Sequence, residues 1–220
     1  VTPPPIPVIT IDGPSASGKG TVAERVAAAL GFHFLDSGAL YRLTALSAMR
    51  HGVALDDAAR VAQLAATLPA AFRDGTVWLA GEDVTDAIRA EAVGDGASKV
   101  AALPAVLARR FGPHPAPPHA PGPLGDGRGI GAGGFTDEAA KIFLTASAEA
   151  RAERRHKQLI EKGNSASLPA LVADMQARDA RDTGRAVAPL KPALDALLLD
   201  TTRMDVESAV QAVLRHYRGK

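Results

Sequence analysis

The chain contains no cysteine, which removes a disulfide framework, a thiol nucleophile and a thiolate-bound zinc site together. Aromatic residues make up only 4% of it, too few for a surface on which bases stack. Neither sign of charge is in excess. Lys and Arg number 25 against 24 Asp and Glu, so a net charge of +1 argues against nucleic acid as a partner. No run approaches the roughly 18 apolar residues of a membrane span. The opening VTPPPIP has no basic region and no apolar stretch behind it, so residues 1–7 read as a disordered lead-in and not as a signal peptide. A cysteine-free chain of this kind suits the cytoplasm.

What is present is enough for a full core: 220 residues, 46% of them hydrophobic. Val8 to Asp12 (VITID) is β-branched and apolar and reads as a buried strand of a parallel sheet. Gly18 to Leu30 follows as an alanine-rich helix closed by Gly31. A second strand at 32–35 leads to Ser37, a fitting first residue for a helix running to about His51. Residues 56–68 read as a helix, 71–80 as a hairpin turning on Asp74-Gly75, and 83–110 as mostly helical. Strands are expected at 123–127, 141–145 and 195–199, and helices at 147–161, 167–180 and 205–217. Strands alternating with helices imply an α/β fold, a three-layer parallel-sheet core, with an insertion between its second and third strands.

Gly13-Pro14-Ser15-Ala16-Ser17-Gly18-Lys19 fits G-x-x-x-x-G-K between a strand and a helix, the setting that marks a phosphate-binding loop. Glycines let the backbone wrap so that successive N–H groups meet phosphate oxygens, and the helix N-terminus adds its dipole. Lys19 supplies a mobile charge for the β- and γ-phosphates. The next residue is Gly20, with Thr21 after it, so the usual hydroxyl is displaced by one position. Beyond the loop, arginines gather just after strands and on helices: Arg42, Arg128, Arg151, Arg154 and Arg155, then Arg178, Arg181 and Arg185 interleaved with Asp179 and Asp182. Phosphoryl transfer needs cations placed around the moving group more than it needs covalent help.

Four stretches carry a family resemblance: ITIDGPSASGKGT (9–21), LDSGALYR (35–42), GEDVTDAIR (81–89) and RDARDTGRAVAPL (178–190). Through them the chain resembles the bacterial cytidylate kinases, a group of nucleoside monophosphate kinases. The resemblance implies a P-loop core (8–55 and 123–220), a monophosphate-binding insertion (about 56–110) and a short lid (about 151–163), all in one domain from residue 8 to 220. It implies transfer of the γ-phosphoryl group of ATP to CMP or dCMP, with Mg²⁺ accompanying ATP, in a cytoplasmic monomer that engages neither membrane nor nucleic acid. Gly13, Pro14, Ser15, Ala16, Ser17, Gly18, Lys19, Gly20 and Thr21 would hold ATP, joined by Arg151 and Arg155 from the lid. Ser37, Arg42, Ser98, Arg178 and Asp182 would bind the acceptor, with Arg128 and Arg185 clamping its phosphate. Among these, Lys19, Arg128 and Arg185 are the expected catalytic groups.

Residues 111–134 break the pattern with eight glycines and six prolines. The family's base-reading arginine and aspartate fall at Leu107 and Gly129 here, and only the serine, Ser98, is kept. A local frameshift, a real divergence with relaxed acceptor choice, and a non-catalytic nucleotide-binding relative would each account for this, and the intact motifs on either side favour the first. His114 and His119 sit among prolines without a third ligand nearby and do not suggest a metal site.

Overall fold

The computed structural model describes residues 8–73, 75–106, 123–127, 140–186 and 189–219. The lead-in 1–7, Leu107, Arg128, Gly129 and the two histidines among the prolines lie outside the described residues. The chain divides into two compact units, Val1–Asp36 with Pro115–Lys220, and Ser37–His114.

The first unit is built on a parallel sheet. β1 (Ile9–Asp12), β2 (His33–Asp36), β6 (Pro123–Gly127), β7 (Ala140–Thr145) and β8 (Leu197–Asp200) lie in the order β2-β6-β1-β7-β8. β1 sits in the middle, with Ile9 beside Leu124 on one flank and Ala140 on the other. Its four residues are all buried, which explains why it reads as an unbroken apolar run and not as an alternation. Ile9, Ile11, Leu124, Ile142 and Leu144 form one face, covered by Val22 and Val26 of α1 (Lys19–Leu30) and by Val210, Val213 and Leu214 of α7 (Val206–Arg218). On the other face Thr10 and Phe143 are buried too. α5 (Ala148–Glu161) and α6 (Leu168–Thr183) follow β7 and pack on each other through Ala152, Leu171 and Met175. Side chains start these helices: Ser147 Oγ accepts from Ala150 N, and Asp205 Oδ1 accepts from Ser208 N at the start of α7. Gly31 closes α1 in the left-handed region at φ 68°, and Phe32 N donates back to Ala27 O at 2.8 Å.

The second unit holds α2 (Ser37–Arg50), α3 (Ala58–Ala66), the antiparallel strands β3 (Ala70–Arg73), β4 (Thr76–Leu79) and β5 (Glu82–Asp83), a 3₁₀ turn (Ala87–Arg89) and α4 (Glu91–Val100). Residues 83–110, read from sequence as mostly helical, instead begin with the end of β5 and the 3₁₀ turn. The side-chain hydroxyl of Thr85 bonds both Asp83 and the backbone of Val77, and this local bonding holds the segment in a turn. Among the described residues no helix is long and apolar enough to cross a membrane.

Where β1 ends, the chain passes close under β7. A Cβ on Gly13 would lie 2.0 Å from Leu144 O, a backbone atom of a central strand that cannot swing aside. Gly13→Ala is therefore expected to cost about 1–3 kcal/mol through overpacking, a fall in Tm of roughly 3–10 °C for a domain of this size. A thermal melt by circular dichroism checks this, and an unchanged Tm would show that the strand and the loop are not in the close contact described.

Candidate active site

A trans peptide is planar, so its C=O and N–H point to opposite sides. A loop that turns successive N–H groups towards a ligand must turn its carbonyls the other way, and each of those needs a donor. The turn between β1 and α1 is furnished in this way. Pro14 O accepts from Lys19 Nζ at 3.4 Å. Ser15 O accepts from Arg151 Nη1 at 3.2 Å. Ser17 O accepts from Arg154 Nη1 at 3.3 Å and from Thr201 Oγ1 at 3.2 Å. Ala16 between them adopts φ 59° and packs on the Ala152–Leu171–Met175 cluster of α5 and α6. Gly18, at φ 91°, opens α1, so the helix's N-terminal end adjoins the loop. Ser15 and Ser17 are buried, and Ser17 Oγ has no hydrogen-bond partner among the described residues.

The two arginines that reach the loop are themselves held. Arg151 is only 3% exposed. Its Nε donates to Ala146 O at 2.9 Å, and its Nη1 and Nη2 form a two-point ion pair with Asp179 of α6. A buried ion pair repays its desolvation only when the remaining donors are also used, and here all three guanidinium nitrogens are engaged. Arg154 donates to the Thr201 carbonyl as well as to Ser17 O. Thr201, at the end of β8, is buried, and its one hydroxyl proton is shared between Ser17 O and Thr145 O, the latter at 3.0 Å, which closes a connection from β7 through β8 to the loop. Next to it, an open hollow is lined by Ser147, Asp200, Thr202, Arg203 and Met204. The Thr202 hydroxyl and backbone N–H hold the exposed Asp200 carboxyl below the usual carboxylate range. The stability this turn adds is present at neutral pH and is lost as pH falls through that lowered value.

The acceptor residues expected from sequence fall in two places. On α6, Arg178 and Asp182 stand one helical turn apart and are both buried, with Asp182 fully so. Arg185, just past the helix, ion-pairs with Asp182, whose carbonyl also accepts from Leu190 N. In the second unit, Ser37 is buried at the first position of α2 and Ser98 is buried on α4. Arg42 of α2 donates to Ile88 O at 2.7 Å, which ties LDSGALYR to the end of GEDVTDAIR. Arg155 is half-buried on α5. Three participants were not singled out as site residues by sequence reasoning: Arg154, Asp179 and Thr201. Asp179 and Arg154 lie inside charged runs that look like solvated helix faces, and Thr201 is one of two adjacent threonines. The partner of each is far away in sequence, and no local spacing points to it.

The family model described as cytidylate kinase matches residues 9–219. The chain belongs to the cytidylate kinase family. A cytidylate kinase of Chromobacterium violaceum is 57% identical over 215 residues, 98% of this chain and 97% of that one. Those of Burkholderia cenocepacia and Burkholderia pseudomallei are each 55% identical, covering 98% and 97% of this chain and 94% of their own. In this cytidylate kinase family member the first unit brings the loop, the arginines that brace it and Asp179 of α6 into one bonded network.

Lys19 is the loop's own cation, resting against Pro14 O at 3.4 Å, and its ammonium has three donors, enough to keep that carbonyl and meet phosphate oxygens as well. Lys19→Ala is expected to lower kcat by roughly 10²–10⁴ with a smaller effect on Tm, because a charge that the transition state needs is removed from a half-buried helix end. Steady-state kinetics beside a thermal melt check this. A kcat within about threefold of the unmodified chain would mean that the phosphates lie elsewhere.

Proposed function

We propose that this chain transfers the γ-phosphoryl group of ATP to CMP or dCMP, giving CDP or dCDP. The observation that carries the reading is that α6 presents the buried Arg178 and Asp182, with Arg185 paired to Asp182 just past the helix, in the same unit as a braced phosphate loop. A protein that merely bound ATP would have no use for a second buried set of this kind.

The loop N–H groups and Lys19 hold the β- and γ-phosphates. Strands of a parallel sheet lie about 4.8 Å apart, so a nucleotide with its phosphates at the end of β1 extends over the ends of β7 and β8. The hollow at Ser147, Asp200, Thr202, Arg203 and Met204 lies there and takes its nucleoside end. Mg²⁺ would accompany ATP and supply neutralisation of the charge that develops on the phosphates. The Ser17 hydroxyl, buried and without a partner among the described residues, fits that ion's shell or a phosphate oxygen, a role Gly20 cannot fill.

Arg42, Arg128 and Arg185 neutralise the acceptor phosphate so that its oxygen can approach in line. Ser37 accompanies them, and Ser98 meets the base. Arg178 and Asp182 face the sugar, with the carboxylate accepting from the 2′-hydroxyl. In the lid, Arg151 and Arg154 fix the first turns of α5 to the loop, so the moving part is the remainder of the segment to residue 163. Arg155 joins Arg151 in meeting ATP from the lid, and closure keeps water from the γ-phosphate. We place the reaction in the cytoplasm, where both nucleotides are made and used.

Two measurements follow. Because Asp182 also holds Arg185, alanine at 182 would disturb the phosphate clamp, and asparagine is the cleaner change. Asp182→Asn should lower kcat/KM for CMP more than for dCMP, by about 1–3 kcal/mol, since only CMP loses a hydroxyl contact to a charged acceptor. Equal losses would remove Asp182 from the sugar site. The second measurement compares kcat/KM for CMP and UMP. With Leu107 and Gly129 at the base-reading positions, discrimination is weak, and Leu107→Arg with Gly129→Asp should raise it by roughly 1–3 kcal/mol per pairing. Turnover of neither acceptor, in a chain that binds ATP, would overturn the proposed function.

A further inference from the structure

The α5–α6 pair touches the phosphate loop at three consecutive residues. Arg151 takes Ser15 O, the Ala152–Leu171–Met175 cluster takes Ala16, and Arg154 takes Ser17 O. Of these contacts only the first continues into α6 through a polar link, the two-point ion pair from Arg151 to Asp179. Asp179 is flanked on the same helix by Arg178 and, one turn on, by Asp182. One rigid helix thus carries the residue that positions the ATP loop and the residues assigned to the acceptor. A guanidinium shared between a loop carbonyl and a carboxylate transmits a shift of either one to the other, since its plane moves as a unit.

We propose that Asp179, acting through Arg151, is a positioning residue that couples occupancy of the ATP loop to the set of acceptor-binding groups on α6. The inference rests on the proposed kinase reading for what binds on α6. With ATP in place, inward N–H groups fix the loop and with it Ser15 O, Arg151 and Asp179. The α6 register that suits Arg178, Asp182 and Arg185 is then already set when the acceptor arrives. Coupling of this sort is reciprocal, so CMP must tighten ATP binding by the same factor by which ATP tightens CMP binding.

The test uses the full chain, Asp179→Asn and Asp179→Glu. Asparagine keeps the size and one acceptor oxygen but removes the charge, and glutamate keeps the charge. Calorimetry with a β,γ-methylene analogue of ATP, with and without CMP, gives the coupling factor, and steady-state kinetics and thermal melts accompany it. In the unmodified chain CMP should tighten the analogue about fivefold or more. In Asp179→Asn that factor should fall towards one, and kcat should fall by roughly 10–100-fold, while Tm moves by only a few degrees. Asp179→Glu should restore part of both. A coupling factor unchanged in Asp179→Asn overturns the proposal, as does a kcat loss that merely tracks a large loss of Tm. A chain that phosphorylates CMP but shows no coupling overturns it while leaving the kinase reading intact. A chain that phosphorylates no monophosphate overturns the kinase reading instead. In that case an unchanged analogue affinity in Asp179→Asn still refutes the bracing of the loop.

Discussion

A peptide plane cannot point both its polar groups the same way, and the rest of the first unit is arranged around that constraint. To present N–H groups to a ligand, the turn after β1 must send the carbonyls of Pro14, Ser15 and Ser17 outward into protein, where they cannot be left without donors. Lysine from the loop's own helix, two arginines from α5 and a threonine from the end of β8 fill those needs. Those donors narrow the shapes open to the loop before a nucleotide arrives, so folding meets part of the cost of ordering and the nucleotide fixes what is left.

Charge placement follows from the same need. An arginine buried to 3% exposure would be a liability unless engaged, and Asp179 and the carbonyls of Ala146, Ser147 and Ser15 engage it. α6 must then lie where Asp179 can reach, and this fixes the position of Arg178 and Asp182 on the same helix. Asp182 in turn sets Arg185, which leaves the helix just behind it. The second unit uses a comparable device on a smaller scale: Arg42 caps the 3₁₀ turn through Ile88 O and so fixes its own guanidinium.

Much of this was legible in the residues. The apolar run of β1, the glycine-framed loop and Gly31 announced the strand, turn and helix because each rests on local chemistry: full burial, positive φ and a helix cap. The helices expected at 147–161, 167–180 and 205–217 start within a residue or two of those observed, which the side chains of Ser147, Ser167 and Asp205 cap. The hairpin at Gly75 was visible in its turn residues. The bracing network was not, because Arg151 and Asp179 are 28 positions apart and Thr201 lies 184 from Ser17. Nothing in local spacing reports contacts made only after the sheet has assembled. The 3₁₀ turn was missed for a different reason, a short polar side chain competing with helix geometry. The sugar- and phosphate-facing roles on α6 came from the family pattern, not from the physics of those residues read alone.

The central claim is that donors to outward carbonyls hold the phosphate loop in its binding shape. Thr201→Val tests it most directly. Valine keeps the volume and removes the hydroxyl from Ser17 O, while Thr145 O keeps its backbone partner in the residue 201 N–H at 2.8 Å. Amide hydrogen exchange across residues 13–19 should then accelerate about tenfold, with ATP affinity falling in step and exchange in β1 and α7 unchanged. Exchange in the loop as slow as in the unmodified chain, at full ATP affinity, would contradict the account.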